Sequence, residues 1–180
     1  MKNQNTKKLA CAALFLALCL VLPMLTGQIP QIGSMLLPMH IPVLLCGLVC
    51  GWQYGAAVGF VAPLLRSVLF GMPPMYPVAI AMAFELLTYG LVIGLVYRRM
   101  AQKGAAGVYA ALLTAMVAGR LVWGVAEVVL LGLGGKAFTA QTFLAGALLN
   151  AVPGIIVQLV LIPAVMAVLQ KAGAVKEYAE

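Results

Sequence analysis

The chain has 180 residues, of which 64% are hydrophobic and 8% charged, with a net charge of +7 and a mean hydropathy of +1.10. Soluble domains carry about 25% charged residues, so this composition excludes a soluble globule and marks an integral membrane protein. The basic residues sit in clusters just beyond apolar runs and not along one face, which gives the positive charge a topological meaning and excludes nucleic acid as a partner.

A helix needs about 20 apolar residues to cross the ~30 Å hydrocarbon core. Six segments meet or approach that length, at residues 8–26, 36–51, 54–71, 76–97, 106–132 and 142–170. With no linker or polar block between them, residues 1–180 read as one transmembrane domain. The predicted fold is an all-α membrane protein, a six-transmembrane-helix bundle.

In the first segment, Lys7 and Lys8 precede an apolar run from Leu9 to Leu25. That run exceeds the ~7–15 residues of a signal-peptide core, and more such runs follow, so it reads as a retained helix. Ala13-x-x-x-Ala17 gives it a small-residue face. The second segment is short, and Pro38 and Pro42 in its first half predict a broken helix, tolerated at membrane depth only where protein or a cavity satisfies the freed carbonyls. The turn near Gly51 to Tyr54 is almost absent, which makes segments two and three close neighbours. Gly47, Gly51, Gly55 and Gly59 recur across that turn, and Gly90-x-x-x-Gly94 repeats the spacing in segment four. Small residues at this interval let backbones approach closely. Gly71 to Pro77 is a loop stiffened by prolines, and Pro153 and Pro163 predict a kink in the last segment.

Positively charged short loops stay in the cytoplasm. Lys2, Lys7 and Lys8 precede segment one, Arg98, Arg99 and Lys103 fill the turn between four and five, and Lys171 and Lys176 follow six. The opposite side carries only Lys136. Both termini are therefore expected in the cytoplasm.

A charged side chain near the bilayer centre costs roughly 2.5–3.5 kcal/mol on insertion scales, so intramembrane ionisable residues are functional-site candidates. Counting along the helices at about 1.5 Å per residue puts His40, Arg66, Glu85, Arg120, Glu127 and Asn150 at one outward-facing level, with Gln158 deeper. Trp123 lies one turn from both Arg120 and Glu127 and offers a ring for stacking on a flat ligand. Two readings compete. The charges balance, so they can form buried ion pairs that only hold helices together; His40 can cap a broken helix, and Asn150 can bond a carbonyl near Pro153. The gathering of so much polarity in one half of the membrane is better explained by a substrate pocket open to the outside, of the kind built where interrupted helices meet polar groups.

No nucleotide-binding loop, HExxH or GxSxG motif is present, and the one histidine has no acidic cluster beside it. These absences predict no enzyme activity, no metal and no cofactor bound by this chain. Cys11, Cys19, Cys46 and Cys50 fall inside apolar runs and read as packing residues. Trp52 and Tyr54 read as anchors at the cytoplasmic edge.

Length, six segments, cytoplasmic termini, Ala13-x-x-x-Ala17 and Asn150-x-x-Pro153-Gly154 together resemble the substrate-binding S component of an energy-coupling factor (ECF) vitamin transporter. Leu37-Pro38-Met39-His40-Ile41-Pro42, with Ala62-Pro63-Leu64-Leu65-Arg66-Ser67, is most similar to the branch containing pantothenate and pyridoxine or hydroxymethylpyrimidine proteins. The resemblance implies a location in the prokaryotic plasma membrane, binding of a small vitamin from outside, and inward release by toppling in the bilayer. It also implies that Ala13 and Ala17 dock on a transmembrane coupling subunit driven by two ATPase subunits that use ATP. Two arginines at pocket depth favour a carboxylate or phosphate, and pantothenate, with a carboxylate and hydroxyls, is the best single substrate expectation; pyridoxine or hydroxymethylpyrimidine, stacked on Trp123, is the alternative. A standalone proton-coupled carrier using Glu85 or Glu127, and a membrane scaffold without a ligand, are the rivals from other classes.

Overall fold

The computed structural model describes residues 2–25, 35–100, 104–135, 139 and 151–173, and all regular structure among them is helical. The helices are α1 (Lys2–Leu25), α2 (His40–Cys50), α3 (Trp52–Phe70), α4 (Ile80–Met100), α5 (Ala105–Leu133) and α6 (Val152–Lys171), with a π-helical turn at Met75–Ala79 leading into α4. Five of the spans, α1, α3, α4 with its π turn, α5 and α6, are long and apolar enough to cross a membrane.

The expected second span is interrupted. Met35 and Leu36 are helical, the chain breaks at Leu37, and helix resumes at His40. Leu37 has φ +50, a conformation a branched side chain adopts only under strain of about 1–3 kcal/mol. Pro38 follows, and Pro42 then falls in the first turn of α2, where its missing N–H has no intrahelical partner to lose. At 11 residues, α2 rises about 16 Å, roughly half the hydrocarbon core. The prolines therefore shorten this helix and leave His40 at its first turn.

Helix α4 is the centre of the bundle, packed against α2, α3 and α5, while α1 covers α2 and α3, and α6 packs on α5 and α2. The glycine spacing predicted close helix contacts and the tight turn made α2 and α3 neighbours; which helix each glycine face meets is decided by the packing. A Cβ on Gly90 would overlap the backbone of Gly55, so α3 and α4 touch main chain to main chain. Gly51 alone joins α2 to α3, at φ +100, and only a residue without a Cβ adopts that turn freely. Helix α3 ends at Gly71, whose N–H donates to the Ser67 carbonyl at 2.9 Å.

The periphery is apolar and uncovered. Leu121 is 59% exposed and Val125 65%, as expected for a face turned to lipid. A groove of about 410 Å³ between α4 and α5, lined by Phe84, Leu121, Val122, Val125, Ala126, Val129 and Leu130, carries no polar surface and belongs to that face. On α1, Ala13 and Ala17 are also exposed.

Candidate functional site

Glu85 is the hub of the buried polar groups. It lies on the inner face of α4, 1% exposed, next in sequence to the outward-facing Phe84 at 45%. Arg120 reaches it from α5, with Nη1 3.0 Å from Glu85 Oε1. His40 reaches it from the first turn of α2, with Nε2 3.5 Å from the same oxygen. Three helices thus converge on one carboxylate oxygen. Taking a carboxylate and a guanidinium out of water costs several kcal/mol each, and breaking one half of such a pair costs about 3–5 kcal/mol, so Arg120 and Glu85 stand or fall together.

Tyr89, one turn further along α4, walls this cluster. Its ring packs edge-on to His40, with centroids 5.2 Å apart, and its other side lies where a Cβ on Gly119 would stand. Glycine beside Arg120 therefore leaves room for a large ring against α5. Arg120 also lies over Trp123, with Cζ 5.9 Å from the ring centroid, a cation–π contact worth about 0.5–2 kcal/mol.

Several atoms of the cluster have no hydrogen-bond partner. Among the described residues, Arg120 Nε and Nη2, both nitrogens of His40, Gln158 Nε2 and the acceptor Glu85 Oε1 are buried without a hydrogen-bond partner. An unsatisfied buried polar group costs about 1–3 kcal/mol, and native structures keep few of them. Nε and Nη2 form one edge of the guanidinium, a pair of parallel N–H groups that matches a carboxylate. Nη1 lies at ion-pair distance from Glu85, and this edge, sealed from solvent, has no partner among the described residues. Gln158 lies one turn beyond Gly154 on the same face of α6, and Gly154 abuts the backbone of Met35 and Leu36, which puts Gln158 level with the start of α2.

The expected residues divide accordingly. His40, Glu85, Arg120 and Trp123 come together. Glu127 is buried at 7% exposure, two turns from Arg120 on α5, and among the described residues no cation lies within ion-pair distance of it. Arg66 is elsewhere: its Nη1 donates to the carbonyl of Leu20 in α1, and its guanidinium lies 5.3 Å from the Phe70 ring. Pro23 lies inside α1, withholding the donor that the Cys19 carbonyl would otherwise take. Arg66 bonds the neighbouring carbonyl of that turn and so stands apart from the Glu85 cluster. Asn150 lies outside the described residues. Tyr89, Gly119 and Gln158 were not singled out as site residues, although the Glu85/Tyr89 spacing of i,i+4 places both on one helix face.

A family model described as ECF transporter, substrate-specific component, matches residues 7–166, from the first turns of α1 to late in α6. No curated protein and no solved structure matches the chain. With most of its length matched, and with apolar helices built to cross a bilayer more than once, this chain is a multi-pass membrane protein of transport that belongs to the ECF transporter substrate-specific component family.

Proposed function

We propose that this chain is the specificity subunit for a small carboxylate-bearing micronutrient of the pantothenate type, bound from outside and delivered inward by an ECF module. Membership of the family carries the assembly with a coupling subunit and two ATPases, in the plasma membrane of a prokaryote. The observation that carries the ligand class is the Nε/Nη2 edge of Arg120, which has no partner among the described residues. It is a bidentate donor oriented by Glu85 through Nη1, which a carboxylate can engage with the pair intact once the packing that seals this edge parts. Among the described residues Gln158 Nε2 is a further donor with no partner, beside one unpartnered acceptor, Glu85 Oε1, so acceptors on a ligand meet more of this inventory than donors do.

Pyridoxine or hydroxymethylpyrimidine would instead stack on Trp123. The Arg120 guanidinium over that ring favours the carboxylate ligand over the stacked one. For the topology, the broken segment from Met35 through α2 supplies the remaining crossing, giving six spans and two cytoplasmic termini, in keeping with the basic clusters at Lys7, Lys8, Arg98, Arg99 and Lys171.

Titration calorimetry on the detergent-purified chain tests this directly. Pantothenate should bind with one site, and pyridoxine and hydroxymethylpyrimidine should give weaker heats. Tighter binding of either ring compound would overturn the ligand class. Uptake by vesicles holding this chain alone, collapsing with the proton gradient, would favour a standalone carrier, and the absence of any small-molecule ligand a scaffold.

A further inference from the structure

We infer that Gln158 of α6 is the second recognition point of the site, donating to a neutral oxygen of the ligand, a carbonyl or a hydroxyl, while the carboxylate sits on Arg120. This rests on the carboxylate reading above. Helix α2 packs on α4, α4 on α5, α5 on α6 and α6 back on α2, so these four helices close a ring. Every buried side-chain nitrogen or oxygen without a hydrogen-bond partner among the described residues belongs to His40, Glu85, Arg120 or Gln158, one residue from each helix of that ring. Unsatisfied polar groups are costly and few in native structures, and scattered packing faults would not fall one to a helix around a single interior. A ligand that enters the ring meets all four.

The buried residues of α6 are Gly154, Gln158, Ile162 and Met166, a stripe at i,i+4 spacing on which the glutamine alone is polar. It is 1% exposed, and a methionine or leucine in its place would spare the bundle a buried amide whose Nε2 has no partner among the described residues. Gly154 abuts the backbone of Met35 and Leu36. Gln158 lies one turn further along α6, and His40 lies a similar step beyond Leu36, so the amide stands level with the polar cluster. Its chemistry sets the kind of atom it receives. An amide N–H holds a carbonyl or hydroxyl oxygen, but it cannot neutralise a second carboxylate, and a buried charge left uncompensated is far costlier than an unmade hydrogen bond. No other arginine or lysine of the four helices is at hand, because Arg98, Arg99 and Lys171 are exposed in the last turns of α4 and α6. The ligand is therefore a monocarboxylate whose remainder carries neutral oxygens.

Pantothenate and pantothenol, which has a hydroxymethyl group in place of the carboxylate and the same neutral oxygens, separate the two recognition points. In calorimetry on the purified chain the wild type should bind pantothenate the more tightly. Gln158→Met, close in size but without the amide, should weaken both ligands by a similar factor of about 5–100, with the melting temperature of the ligand-free protein unchanged or raised. Arg120→Lys should weaken pantothenate alone. Gln158→Glu keeps the shape and removes the N–H, and it should weaken pantothenol as the methionine does; it carries the test if the methionine variant fails to fold. Suberate, with a second carboxylate at comparable chain length, should not displace pantothenate. Unchanged binding of both ligands by the Gln158 variants overturns the inference and leaves the ligand class standing. Loss of binding in step with a fall in the ligand-free melting temperature also overturns it, since the glutamine is then structural, and displacement by suberate overturns the neutral character of this second point. Equal binding of pantothenol and pantothenate by the wild type, or no binding of either, overturns the carboxylate reading and this inference with it.

Discussion

Arg66 of α3 donates through Nη1 to the carbonyl of Leu20 in α1. The arginine that sequence position placed in the pocket therefore ties the first helix to the third, in the last turns of α1 near Pro23. Buried at 3% exposure, it satisfies its charge with a main-chain dipole and the Phe70 ring, and it needs no counter-ion to remain there.

Arg66→Ala should accordingly lower stability, by about 1–3 kcal/mol for the carbonyl left without its donor, while changing ligand affinity no more than a few fold. Thermal unfolding in detergent and ligand titration on the same variant read the two effects separately. Loss of binding at unchanged stability would return Arg66 to the pocket.

Arg120→Lys separates charge from geometry. Lysine keeps a cation beside Glu85 but offers no paired N–H edge. Charge-assisted hydrogen bonds are worth about 1.5–3 kcal/mol, so ligand affinity should drop about 10–100-fold with stability nearly retained. Arg120→Ala should be worse in another way, since Glu85 is left with His40 alone and the protein itself destabilises. An Arg120→Lys variant that binds as wild type removes the fork from the site.

Gly90→Ala should be among the most damaging single substitutions outside the polar cluster, because the added Cβ collides with the Gly55 backbone and two helix axes have to separate. Gly132→Ala, in α5 with nothing within 4 Å, is the matched control and should be neutral or slightly stabilising. Melting temperatures of the pair decide it: equal values would mean that α3 and α4 are not in main-chain contact.

Ala17→Leu should leave ligand binding intact and weaken co-purification with the ECF module. Ala13 and Ala17 lie exposed on α1, and a leucine there holds an approaching helix away from the backbone. Normal assembly of Ala13→Leu and Ala17→Leu together would place docking on another face.

Composition and periodicity by themselves determined that this is a helical membrane bundle, with segments bounded within a few residues of the observed α3, α4 and α5. Hydrocarbon admits few other spanning structures, because every backbone group must be satisfied within the segment. The glycine interval marked faces for close helix contact, and the tight turn made α2 and α3 neighbours, but that Gly55 of α3 meets Gly90 of α4 came from the structure. The prolines of segment two were legible as a break, but not its extent: the turn at Leu37 depends on what packs around it.

What only the tertiary structure decided is which charges meet. Counting residues along a helix gives depth, and it put Arg66 and Arg120 at comparable levels. It does not give the direction in which a side chain leaves the helix relative to a neighbour whose position is unknown. Arg66 and Arg120 have the same chemistry and similar depth, yet one turns to Leu20 and the other to Glu85, because α1 covers α3 while α4 lies against α5. Helix neighbours, set by glycine contacts and loop lengths along the whole bundle, chose the partner for each.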